Sequence, residues 1–165
     1  MNIKSQKSAE QAQLGEMIKD MSVAMLTTFD EEEGLLKSFP MSPLEMCEQG
    51  AIWFLTDSNS SKVKHLQVIN LAFSNEPEST YVSISGHGEM INDQARIEDL
   101  WTPFARPWFP KGVDSENLVL LKFVPHTAEF WDAPNSKMVR MLAMAASIVA
   151  AKPIGMGNHG NLNAL

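Results

Sequence analysis

Between residues 8 and 21 the apolar side chains Leu14, Met17, Ile18 and Met21 fall at the i, i+3, i+4, i+7 spacing of one helix face, which predicts an amphipathic N-terminal helix. The period then changes. Residues 22–29 (SVAMLTTF) are rich in β-formers and run into DEEEG, an acidic, glycine-closed sequence suited to a solvated turn, so residues 35–41 are expected to return as the second strand of a hairpin. Gly50 precedes the apolar run 51–56 (AIWFLT), which reads as a buried strand. Residues 61 to about 69 read as a helix with Val63, Leu66 and Ile69 on one side and Ser60 suited to cap its first amides; residues 71–74 read as another short strand.

In residues 80–91 (TYVSISGHGEMI), Tyr81, Ser83, Ser85 and His87 alternate with Val82, Ile84 and Gly86, a strand period, and Gly86 and Gly88 mark a bend or a close approach to the backbone. Asp93 is placed to cap a helix reaching about Trp101, and TPFARPWFPKG, with three prolines, is a loop. Residues 118–131 form a long strand that Pro125 is expected to divide. A final helix over about 137–151 carries Met138, Met141, Leu142, Ala145, Ile148 and Val149 around most of its circumference and needs cover on more than one side, which a partner subunit could supply. The tail 152–165, with Gly155, Gly157 and Gly160, reads as flexible or as draped over a neighbour. The sum is a mainly β chain, about six antiparallel strands with flanking helices, which suits a small barrel better than an alternating βαβ sheet.

Composition narrows the picture. A chain of 165 residues, 44% of them hydrophobic, is expected to form one domain over 1–165, with its barrel at about 22–131. Its longest apolar stretch, 138–151, carries Arg140 and Ser147 and falls short of the roughly 20 residues that span a bilayer. Residues 1–10 hold Lys4 and Lys7 with no apolar run behind them, and Cys47 is the single cysteine, so a cytoplasmic protein without disulfides is expected. A net charge of -7 opposes binding to nucleic acid but leaves room for a local basic pocket that takes one phosphate.

Such a pocket is suggested where residues 55–63 (LTDSNSSKV) carry a buried strand through a serine-rich turn into a helix start. Unpaired amides there, the hydroxyls of Ser60 or Ser61 and the Lys62 ammonium match a phosphate monoester; ordinary helix capping beside an exposed lysine explains the same residues. In the segment 37–41, strand alternation puts Lys37 and Phe39 on one face with Ser38 between them, and Pro40 marks a strand end, a bulge or an edge whose free backbone groups could bond a planar heterocycle. Tryptophans 53, 101, 108 and 131 are candidates for stacking or for packing. Zinc-type ligand spacing, a G-x-S-x-G elbow and glycine-rich phosphate loops are all missing, and His87 is either a satisfied strand residue or a proton-transfer group.

The ordered segments VAMLTT, KSFPMSP, IWFLTD-x-x-S-x-KV, YVSISGHGEMIND, LW-x-P-x-x-x-x-WFP and AEFWDAP-x-SK, spread over about residues 10–150, resemble the general stress protein 26 group of the pyridoxamine 5′-phosphate oxidase-like flavoproteins. The resemblance implies a six-stranded antiparallel Greek-key split β-barrel that dimerises and holds FMN between subunits. By position, Leu55 and Thr56 would meet the flavin or its ribityl chain, Ser61 and Lys62 the phosphate, and Lys37, Ser38, Phe39, Pro40 and Met41 the ring, while Trp131 would close the pocket from the partner chain. The group reads S-R-P-M where this chain reads Ser38-Phe39-Pro40-Met41, so an arginine contact is lost, and Lys37 on the same strand face is a partial substitute for its charge. The resemblance implies an FMN-dependent oxidoreductase with an unidentified small-molecule substrate and electron donor. A non-catalytic flavin store or sensor, and a barrel holding another phosphorylated heterocycle, are the alternatives.

Overall fold

The computed structural model describes residues 1–132, 158–163 and 165. Its elements are β1 (Asn2–Ile3), α1 (Ala9–Ile18), β2 (Ala24–Asp30), β3 (Leu35–Met41), β4 (Glu45–Met46), β5 (Ile52–Asp57), β6 (Ile69–Asn75), β7 (Thr80–Ile91), α2 (Gln94–Leu100), β8 (Leu118–Asp132) and β9 (Asn158–Asn163). One sheet joins the strands in the order β1-β4-β5-β8-β7-β6-β2-β3, with β9 added to β8. All pairs are antiparallel except β1–β4. The helix expected over 137–151 lies outside the described residues.

The amphipathic helix forms where its pattern predicts: Ser8 Oγ accepts the Gln11 amide at 3.1 Å, and Leu14 and Ile18 are fully buried. It ends at Ile18, and Met21 reaches the same core from the turn that follows. The acidic turn after β2 is closed by Asp30, whose carboxylate accepts the amides of Glu32 and Glu33 while its carbonyl accepts that of Gly34. Gly34 sits at φ 67°, a conformation that costs glycine little.

The long strand β8 organises the sheet. It pairs with β7 along its length on one side, and on the other with β5 through Leu118–Phe123 and then with β9 through Thr127–Asp132. Pro125 does not divide it. Instead the register slips: Thr127 faces Ser85 and Pro125 faces Gly86, leaving His126 as the extra residue of a bulge. Backbones approach closely at this point, and a Cβ on Gly86 would lie 2.1 Å from the Val124 carbonyl oxygen.

Two further expectations are corrected. The stretch after Ser60 is a single 3-10 turn, Ser61–Val63, and β6 begins already at Ile69. The Leu66 carbonyl accepts the Gly88 amide of β7 at 2.8 Å, which ties this stretch to the sheet instead of to a helix. Within the tail, residues 158–163 are a strand: Leu162 is buried, and Gly160 packs so closely on the Phe130 ring that a Cβ would meet it at 2.6 Å.

The main core gathers Leu14 and Ile18 of α1 with Leu26, Phe54, Leu71, Ile84, Leu121 and Phe123 of the sheet. A second cluster lies where Ile97 and Leu100 of α2 and Phe109 of the proline-rich loop pack with Leu118, Leu120, Trp53 and Leu55. Between the two, Glu45 is 3% exposed and its charge is met by Arg96 at 2.5 Å and Lys4 at 3.3 Å, with the Arg96 guanidinium 5.2 Å from the Trp53 ring centre.

Candidate functional site

Strand β5 alternates strictly. Ile52, Phe54 and Thr56 are buried in the barrel, while Trp53 and Leu55 join the second cluster. Thr56 is 2% exposed, yet its Oγ1 finds no hydrogen-bond partner among the described residues. An unpaired buried hydroxyl costs free energy unless something completes it. At the end of the strand Asp57 braces the turn, accepting from the Asn59 amide and from Asn117 Nδ2, and the Ser60 amide closes on the Asp57 carbonyl.

That turn delivers an exposed Ser61 and a half-buried Lys62. Lys62 Nζ donates to the thioether of Met41 at 3.4 Å and lies 5.9 Å from the centre of the Phe39 ring. It forms no ion pair among the described residues. Burial pushes its pKa down, and the charge of Asp57 opposes that only in part. A thioether is a weak acceptor, so this ammonium is partly stripped of water without a matching anion.

Strand β3 supplies Phe39 and Met41. Phe39 and Lys37 face the same side as the buried Leu26 and Thr28 of β2, whereas Ser38 and Pro40 point outward with Thr27 and Met25. Ser38 Oγ shares a hydrogen bond with Thr27 Oγ1 at 2.8 Å. Lys37 is held elsewhere, 2.8 Å from Asp30 and 2.9 Å from Glu33, and these contacts raise its pKa. β3 pairs only with β2 among the described strands, so its backbone from 35 to 41 presents an open edge.

Val119 of β8 faces Thr56, whereas Trp131 faces Tyr81 of β7 and His159 of β9. Trp131 is 43% exposed and stacks on His159 of β9, with ring centres 5.1 Å apart and planes inclined by 19°. The fold therefore joins Phe39, Met41 and Lys62 next to the strand that carries Thr56. It ties the Lys37 side chain to Asp30 and packs Leu55 into the second cluster. A depression of about 540 Å³ beside the turn is lined by Ser58, Asn59, Lys111, Ser115 and Asn117, none of them an expected cofactor contact.

The fold also creates contacts that spacing could not disclose. His87 and His126 meet at 2.8 Å between Nδ1 and Nε2 only because the bulge brings them into line, and Glu89, beside His87, is paired with Lys122. His65 comes to 3.6 Å from Asp30. Among the described residues no group of three or more His, Cys, Asp or Glu is arranged to hold a metal ion, and no helix is long and apolar enough to cross a membrane.

Residues 9–154 match the family model described as pyridoxamine 5′-phosphate oxidase like. The chain belongs to this family. Its mainly β architecture is the split barrel of the pyridoxamine 5′-phosphate oxidase-like proteins. A protein described as a general stress protein 26 from Jannaschia sp. CCS1 superposes with a TM-score of 0.72 at 24% identity, over 92% of this chain and 99% of that one. The general stress FMN/FAD binding protein of Xanthomonas citri gives a TM-score of 0.65 at 26% identity, over 76% and 90%. Protein bli-3 of Neurospora crassa is 24% identical over 143 residues, 79% of this chain and 68% of its own length.

Phe39 lies third from the end of β3, which closes at Met41. Its ring is part-buried against the main core and forms one wall beside the Lys62 ammonium. Lys37, tied to Asp30, brings no charge to that wall.

Proposed function

We propose that this chain is a homodimeric flavoprotein that binds FMN in a cleft between two copies and acts in the cytoplasm as a stress-related oxidoreductase on a small molecule. The observation that carries the reading is Lys62: a part-buried ammonium with a lowered pKa that, among the described residues, donates to a thioether, lies near an aromatic ring and forms no ion pair. A phosphate monoester would supply the missing countercharge through charge-assisted hydrogen bonds, with the Ser61 hydroxyl alongside.

In this reading the open edge of 37–41 lies beside the flavin ring, Phe39 and Met41 pack against it, and Thr56 Oγ1 turns its unused hydrogen-bonding capacity to the ligand. Bound FMN would supply hydride or electron transfer; the chain orients it and excludes water from one face. In this reading the open edge of β3 is closed by a partner copy, which brings Trp131 to the flavin.

Phe39 favours a second reading, a flavin store or sensor without turnover, because it removes a donor that would polarise the ring. Adding FMN to purified protein and following flavin absorbance and melting temperature tests the shared premise. Rapid reoxidation of bound, reduced FMN by a small-molecule acceptor would select the oxidoreductase, and a persistent reduced state the store.

A further inference from the structure

The strand that the tail forms brings an unassigned titratable ring to the one aromatic residue offered to the partner. Across three neighbouring strands, Tyr81 of β7, Trp131 of β8 and His159 of β9 are direct register partners, so their side chains form one row on a single face of the sheet. Tyr81 and Trp131 are each 43% exposed, and His159 is exposed as well. Only one pair in the row is stacked: the His159 imidazole lies nearly parallel to the Trp131 indole at 5.1 Å. β9 is fixed to the fold by six register pairs with β8, by buried Leu162 and by the Gly160–Phe130 contact, so the main chain keeps His159 directly opposite Trp131.

An exposed tryptophan at a strand position otherwise samples several rotamers, and ordering it on binding costs free energy. A ring stacked on one indole face removes that freedom in advance and leaves the opposite face and edge for a ligand. We propose that His159 is a positioning residue of the flavin site, holding Trp131 in the orientation it presents to FMN bound by the partner copy. The proposal rests on the reading of Trp131 as the residue that closes the partner's pocket. It assigns to the C-terminal strand a part in ligand binding: β9 buttresses the closing aromatic instead of trailing in solvent.

The test is FMN titration of the wild-type protein and of W131A, H159A, H159F and the double variant W131A/H159A, with tryptophan emission of the apo proteins and of apo W131F as a second readout. His159→Ala should weaken FMN binding about two- to tenfold, the range expected for one aromatic pair. H159F, which keeps a flat ring, should restore affinity, and H159A should add nothing once Trp131 is gone. In the apo protein, the emission component that W131F removes should shift in H159A and return in H159F. If FMN binding is weakened by W131A but untouched by H159A, the inference fails while the functional reading stands. If the wild type binds no FMN, the functional reading fails and the inference with it.

Discussion

The Lys37 ammonium lies 2.8 Å from Asp30 Oδ2 across the β2–β3 hairpin, at the base of the acidic turn. Its hydrogen bond is the main reason the Asp30 carboxyl titrates below its ordinary range, followed by the Glu33 amide. A carboxyl whose pKa is depressed by folding contributes stability that is fully present above its ordinary pKa and lost as pH falls through the depressed value. Acid titration of the melting temperature should therefore show wild type losing stability below about pH 4, and K37M, already less stable at neutral pH, losing less there. Because Lys37 is committed to the hairpin, K37M should leave FMN affinity within about twofold of wild type.

Lys62 should behave in the opposite way. Lys62→Ala is expected to weaken FMN binding by about 1.5–3 kcal/mol if the ammonium meets the phosphate. Burial lowers its pKa in the free protein, and a bound phosphate would favour the charged form, so affinity should fall as pH rises through the lowered value. Titrations from neutral to alkaline pH should show that slope in wild type and not in K62A. A flat wild-type profile would remove Lys62 from the site.

Arg96 holds a structural charge. Its guanidinium is the shorter of the two cation contacts to the buried Glu45, and Lys4, 47% exposed at its side chain, is the other. R96M should destabilise the fold by about 3 kcal/mol, the low end for breaking a buried pair, since Lys4 remains. Denaturant unfolding measures this directly, and the loss should be largely recovered by E45Q in the same chain.

Gly86 tests the bulge. A methyl group there would collide with the Val124 carbonyl at 2.1 Å and with the Phe123 ring at 2.8 Å. Gly86→Ala should cost at least about 3 kcal/mol, the upper end for forced overpacking, and soluble yield and melting temperature check it.

Much of this architecture was legible because the local patterns were unambiguous. Leu14 and Ile18 mark the buried face of α1, DEEEG closes a hairpin, and AIWFLT is a strand buried alternately in two clusters. The failures have physical causes. Val63, Leu66 and Ile69 share a helical spacing, but main-chain bonding to β7 overrides it. β9, with sequence NHGNLN, offers one buried apolar side chain and a glycine, so nothing local separates it from a flexible tail. The place of Lys62 after a strand end was visible in the sequence, whereas the diversion of Lys37 to Asp30 depends on the hairpin register, which places residues seven apart side by side. The meeting of His87 with His126 required a bulge that only Pro125 and Gly86 hinted at.

Retention of FMN tests most directly whether the part-buried Lys62 and the Thr56 hydroxyl, unpaired among the described residues, await a flavin phosphate and its ribityl chain. Purified protein incubated with FMN and then desalted should retain flavin absorbance at about one FMN per chain and melt at a higher temperature than the untreated protein, while K62A retains markedly less. Wild-type protein that emerges colourless, with an unchanged melting temperature, would contradict the account.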